Sequence, residues 1–391
     1  MYDAIVVGLG PAGSVTAAEL ARGGLSVLGL EWKAMPRYKV CGGGLSARIA
    51  GLLEPDFRDV VEDTIHSVQF RFAGQDSFLI SSPEPIAYMV MRDRFDAYLV
   101  AKAWEAGAEV RESERVLALR EDADGVEVLT ERGAYHARLV VGADGAHSVM
   151  RRLLFPGSGG RLVAGLEGEA LVPGGFSALE SGAIVIDIGA SPGGYAWVFP
   201  KAGRMSLGVA EFLGRGRSPK TKYERFACGE PALERVSVPG GLGHPLPLYN
   251  VAAEQSRLTT GRAVLVGDAA HLVDPFFGEG IYYAVLSGRM AAQCIVAHLY
   301  GQAPDLRAYE DWVVRDLAPE FRVAARMAWT VYTFPQSSYR MIRRRPGIIK
   351  LYAEIFKGNE TYQSFYAKAK AEAQGSFGQY LKDACLSAFS T

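Results

Sequence analysis

The chain has 391 residues, 49% hydrophobic and 22% charged, with a formal net charge of -1. That length holds two domains or one composite unit with its own core, and the near-neutral balance argues against a general nucleic-acid binder, which is normally clearly basic. Cys41, Cys228, Cys294 and Cys385 are scattered without metal-ligand spacing, so a reducing compartment is expected rather than a disulfide framework, and no metal.

No basic segment followed by an apolar run and a cleavage site opens the chain, so no signal peptide is expected. Residues 4–30 are interrupted by Glu19 and Arg22, and residues 281–300 by Arg289. Neither run reaches the roughly 20 uninterrupted apolar residues of a spanning helix. A cytoplasmic protein is expected, able at most to rest on a membrane surface.

Residues 4–7 form a short apolar, β-branched run, typical of a buried parallel strand. Gly8, Gly10 and Gly13 follow with G-x-G-x-x-G spacing, and residues 14–22 continue with an alanine-rich helical pattern. The glycines serve a tight turn, room for a pyrophosphate and close helix–strand packing. The helix start offers free N–H groups and a positive dipole end to phosphates. A second strand over residues 26–30 ends at Glu31, placed to accept from a ribose hydroxyl. Strand, loop, helix, strand and acid in this order predict a dinucleotide site. Residues 31–46 then run EWKAMPRYKVCGGGLS, setting a lone thiol, Cys41, against Gly42, Gly43 and Gly44.

Further along, HSVQFRF, GAIVIDIG and MSLGVA alternate like strands, so residues 65–90 and 156–254 are expected to form a β-rich substrate domain. It is inserted between the segments 1–64, 91–155 and 255–300 of a Rossmann-like α/β domain. RDRFDAYL, residues 92–99, starts a helix at which Asp93 and Asp96 favour the N-terminus, while Arg92 reaches a cofactor or pairs on the surface. Tyr195 and Trp197 stand two apart on a predicted strand and share one face. Residues 301–391 turn helical, interrupted at YRMIRRRPG by a basic-aromatic stretch. That stretch is either a solvated turn between helices or a surface for anionic headgroups or a substrate phosphate.

Two distant segments extend the first motif. RLVVGADGAHSVMRR carries Gly142, Asp144 and Gly145 after a strand. GRAVLVGDAAHLVDPFFGEGIYYAVLSG carries Gly267 and Asp268, then Pro275, Gly278 and Gly280 ahead of a helix opening at Ile281. Together with the N-terminal fingerprint they resemble the FAD-dependent oxidoreductases related to aromatic hydroxylases. The resemblance implies FAD, with Gly8, Gly10, Pro11, Ala12 and Gly13 at its pyrophosphate and Glu31 at the adenosine ribose; Trp32, Arg92 and Val116 are further cofactor-binding candidates, and the motif of Asp144 serves mainly to build the fold around the cofactor. The resemblance places Gly267 and Asp268 at the ribityl chain, and Pro275, Gly278, Gly280 and Ile281 near the flavin ring. His271 is expected to be structural.

The stretch Pro36 to Leu45, taken with the Tyr195-x-Trp197-x-Phe199-Pro200 pattern, resembles the geranylgeranyl reductase family. This implies reduction of double bonds in a prenyl chain, with electrons from NAD(P)H or a ferredoxin. Cys41, Tyr195 and Trp197 are the catalytic candidates, and Gly42 and Gly43 are expected to let the backbone approach the flavin. Cys41 is expected to donate or relay a proton, with Tyr195 as a competing donor. A monooxygenase or halogenase of the same fold, or a prenyl-lipid-binding flavoprotein without catalysis, are the alternative readings.

Overall fold

The computed structural model describes residues 1–372 except 123, 159, 161, 173–181, 215–217, 234–239 and 251–256. Its first sheet is built on the strand Tyr2–Val7, in which Ala4, Ile5 and Val6 are wholly buried. Buried on both faces, that strand pairs in parallel with Val27–Leu30 on one side and Ala134–Gly142 on the other. Glu109–Arg111 and Ala263–Leu265 add further parallel strands. A hairpin over Val116–Glu121 and Val126–Thr130 completes the sheet in antiparallel fashion. This is the α/β sheet of a Rossmann-like domain.

The helix Pro11–Arg22 follows the first strand with proline at its opening turn, where the missing N–H costs nothing. It crosses Ile281–Leu299 at close range: a Cβ on Gly288 would come within 2.6 Å of the Ala12 carbonyl oxygen, and Thr16 Oγ1 donates to the Gly288 carbonyl at 3.2 Å. Small residues at this crossing bring the N-termini of two helices to the same side of the sheet.

The second sheet runs Leu242–Pro247, Leu162–Leu171, Arg204–Glu211, Gly194–Lys201, Ala183–Ile188, Ser67–Phe72 and Asp76–Ser81. Its pairs are antiparallel apart from Ala183–Ile188 with Ser67–Phe72. A small third sheet joins Gly44–Ser46 and Val61–Ile65 to Ala87–Val90, so the end of the segment expected in the β-rich insertion pairs with the chain just after Cys41. Register sets three rows across the second sheet: Gly165, Ala210 and Tyr195; Glu167, Gly208 and Trp197; Glu169, Ser206 and Phe199.

The C-terminal segment is helical, with Ala318–Thr333, Pro335–Arg344, Pro346–Lys357 and Tyr362–Glu372 laid against this second sheet. Tyr332 stacks on Phe212 at 5.2 Å between ring centroids, and Phe212 stacks on Tyr195 at 5.8 Å. The basic stretch runs through the end of the helix Pro335–Arg344, leaves Arg345 between helices and enters the start of Pro346–Lys357. It contains no glycine or asparagine to break it until Pro346 opens the next helix. There Arg343 pairs with Asp76 of the β-rich sheet. Among the described residues no helix is long and apolar enough to cross a membrane.

Candidate active site

A cavity of about 660 Å³ runs between the two sheets, from Gly8 and Glu31 past Cys41 to Tyr352 and Phe356. At its nucleotide end Gly8 takes a φ of +91°, and a Cβ there would lie 2.6 Å from the Ala143 carbonyl oxygen. A Cβ on Gly13 would lie 1.8 Å from the Gly8 carbonyl oxygen, so this glycine closes the turn and lines no part of the cavity. Gly10 caps the helix Pro11–Arg22 with no side chain, and Gly280 caps Ile281–Leu299 in the same way. Both caps line the cavity, so two uncapped helix ends present N–H groups and positive dipole ends to it.

Glu31 is buried, and its Oε2 accepts the Leu9 N–H at 3.0 Å while Oε1 accepts the Lys33 N–H at 3.1 Å. These bonds fix the carboxylate at the cavity wall beside Trp32, whose ring packs under Lys33 and Arg115. Asp268, Gly278 and Ile281 also line the cavity, and Gly267 takes a φ of +57° where a Cβ would press to 2.8 Å on Ala12. Asp144 reaches the cavity, but its carboxylate caps the next helix, accepting from Ser148 Oγ and the N–H groups of Val149 and Met150. Val116 and Pro275 are buried without lining the cavity. His271 takes the left-handed conformation, φ +57°, against Gly160, and burial depresses its pKa to about 4.

Arg92 is buried rather than paired on the surface, with Nε and Nη2 each 2.8 Å from the Asp96 carboxylate. Arg37 Nη1 adds a third bond to Asp96 at 3.0 Å. Burial works against ionisation of Asp96, and the two guanidinium groups overrule it, holding its pKa below the usual carboxylate value. Lys39 stands nearby, its pKa lowered by burial and by Arg92.

The Cys41 sulfur accepts the Gly43 N–H at 3.4 Å. The glycines after Cys41 answer to the protein's own backbone. Gly43 takes a φ of +71°, and a Cβ there would lie 2.1 Å from the Val90 carbonyl oxygen. A Cβ on Gly42 would press to 3.1 Å on the Phe199 ring and Trp197 Nε1. The residue after the thiol is thereby held against the aromatic row of the second sheet.

Tyr195 and Trp197 form the cavity floor together with Phe199. Tyr195 Oη donates to the Phe277 carbonyl at 2.7 Å, and burial raises the phenol pKa. The phenol proton is thus engaged by the protein's own backbone. Ile349, Tyr352 and Phe356 close the far side from a C-terminal helix. Tyr352 and Tyr362 share a hydrogen bond, and Tyr362 donates to Asp274 beneath the Gly278 loop. These C-terminal contributors carry no motif, and neither do Glu167 and His244 on the β-rich side of the cavity.

Residues 1–311 match the FAD binding domain family. The chain is 30% identical over 390 residues to the geranylgeranyl diphosphate reductase of Rhodobacter capsulatus, covering 95% of this chain and 93% of that one. The chain belongs to the geranylgeranyl reductase family of FAD-dependent oxidoreductases. A second member of this family, digeranylgeranylglycerophospholipid reductase 1 of Methanopyrus kandleri, is 32% identical over 357 residues, covering 84% of this chain and 90% of its own length. The fold matches a geranylgeranyl bacteriochlorophyll reductase-like protein of Thermoplasma acidophilum with a TM-score of 0.79, at 23% identity and over 98% and 99% of the two chains. FAD is the cofactor of this reductase family, and the residues fit it: a glycine cradle without room for Cβ atoms, two uncapped helix ends and a buried carboxylate with both oxygens positioned.

Proposed function

We propose that this protein saturates carbon–carbon double bonds in a geranylgeranyl-type chain carried on a lipid, a diphosphate or a quinone or chlorophyll precursor. The observation that carries the reading is the continuity of the cavity. It passes from the glycine cradle to an apolar hall floored by Tyr195, Trp197 and Phe199 and walled by Ile349, Tyr352 and Phe356. A flexible hydrocarbon needs such a hall, because only dispersion and exclusion of water hold it in place.

Bound FAD in its reduced form supplies a hydride, with electrons drawn from NAD(P)H or a ferredoxin. Gly8, Gly10 and Glu31 hold the nucleotide half of the cofactor, while Asp268 and the N-terminus of Ile281–Leu299 meet its flavin half. The aromatic floor excludes water and fixes the chain. Cys41 borders the reacting bond: it lines the cavity, and its sulfur accepts the Gly43 N–H from its own loop. We assign Cys41 the last proton transfer to carbon.

The test is anaerobic. Photoreduced holoenzyme mixed with a geranylgeranyl lipid should be reoxidised, and the lipid should gain two hydrogens by mass for each flavin oxidised. A monooxygenase or halogenase needs oxygen and stays reduced under these conditions. A non-catalytic binder stays reduced as well.

A further inference from the structure

Each proton passed to carbon must be replaced, and the cavity that Cys41 lines also holds a carboxyl without a hydrogen-bond partner among the described residues. Glu167 lies on the strand Leu162–Leu171, is 2% exposed and lines the cavity. Among the described residues neither of its oxygens has a hydrogen-bond partner. Glu169 and Ser206 crowd it without closing a bond, and Lys201 behind it is committed to Glu169. A buried carboxylate left bare is among the costlier things a fold can contain, whereas a neutral carboxylic acid is tolerated.

Register aims this group at the site. Glu167 pairs with Gly208, and Gly208 pairs with Trp197 on the next strand. With no side chain between them, the Trp197 ring lies across Gly208 toward the carboxyl, and Trp197 Nε1 abuts Gly42, the residue after Cys41. Tyr38, three residues before Cys41, carries the fields of both Glu167 and Cys41. The loop and the carboxyl thus face one another across one pocket.

We infer that Glu167 is the proton reservoir of this site, a carboxylic acid that reloads Cys41 through cavity water. The inference rests on the reductase reading above. The step balances as follows. The hydride pair forms one new C–H bond, and the π pair forms the second with the Cys41 proton as its S–H bond breaks. The Glu167 proton restores the S–H, leaving a carboxylate beside Lys201 that solvent reprotonates.

The groups facing Glu167 are Lys201, Glu169, Tyr38 and Tyr223. Burial is the largest influence on its pKa and raises it to about 8; Lys201 opposes the rise and Glu169 adds to it. The acid form is therefore present at neutral pH and lost as the pH climbs through about 8.

The experiment compares wild type, Glu167→Gln and Glu167→Asp as FAD-loaded protein, by anaerobic reoxidation with geranylgeranyl lipid across pH and by infrared difference spectra without lipid. Wild type should slow as pH rises through about 8, and its spectrum should lose a carboxylic acid band over the same interval. Glu167→Gln should keep its flavin, lack that band, turn over about 100-fold more slowly and show no such limb. Glu167→Asp should recover part of the rate together with the limb. Unchanged rate and pH profile in Glu167→Gln, or a wild-type spectrum without the band, overturns the proposal while the reductase reading stands. If wild type itself is not reoxidised by the lipid, the reductase reading falls and takes the reservoir with it.

Discussion

The indole of Trp197 lies over Gly208 on the neighbouring strand, where a Cβ would come within 2.0 Å of the ring. The floor of the cavity is flat because one strand gives up its side chain to the next. Gly208→Ala should therefore tilt the indole upward, destabilise the protein by about 1–3 kcal/mol and slow prenyl turnover by about 100-fold. Flavin content should stay unchanged. Denaturant melts, steady-state rates and the flavin absorbance of the purified variant check the three parts separately.

At the other end of the cavity the same logic acts on the cofactor. Gly8→Ala puts a Cβ against the Ala143 carbonyl at a φ of +91°. The variant should purify without flavin and lose about 1–3 kcal/mol of stability. A yellow, fully loaded preparation would contradict the assignment of Gly8 to the nucleotide cradle.

Replacing the thiol tests the last proton transfer. Cys41→Ser keeps an acceptor for the Gly43 N–H, so the loop should hold and FAD should bind. Reoxidation by prenyl lipid should fall by about 100-fold or more. If stopped-flow traces of the variant overlay those of the wild type, Cys41 is a bystander.

Asp96 anchors two guanidinium groups in the interior. Asp96→Asn leaves Arg37 and Arg92 short of a counter-charge and should cost about 3–5 kcal/mol. The pH dependence has a definite sign. The native pKa of Asp96 lies below its ordinary value, so its contribution is fully present above the unfolded pKa of about 3.9 and is lost as pH falls through the lower native value. Urea melts of the two proteins should differ at neutral pH and converge only in strong acid.

Much of the cofactor cradle was legible because its determinants are local. Gly8, Gly10 and Gly13 sit within one turn between a strand and a helix, and Glu31 closes the next strand, so spacing alone specifies their geometry. Tyr195 and Trp197 were legible for a similar reason, since two residues along a strand share a face. Glu167 was not, because its meaning depends on two successive strand registers that bring it beside Gly208 and then Trp197. The part of Asp144 was obscured by a competing local use: its carboxylate caps the helix that follows it. The arginines around residue 343 were ambiguous because charge composition does not distinguish a helical face from a turn.

The matched family segment ends at residue 311, yet Ile349, Tyr352 and Phe356 line the cavity that we propose receives the hydrocarbon. On that reading the chain divides its labour along its length, with redox parts early and a wall for the substrate late. Swapping side-chain size at those three positions alters the room for the substrate's tail without touching the glycine cradle. The final helices are the natural place to rewrite which chain length this enzyme accepts.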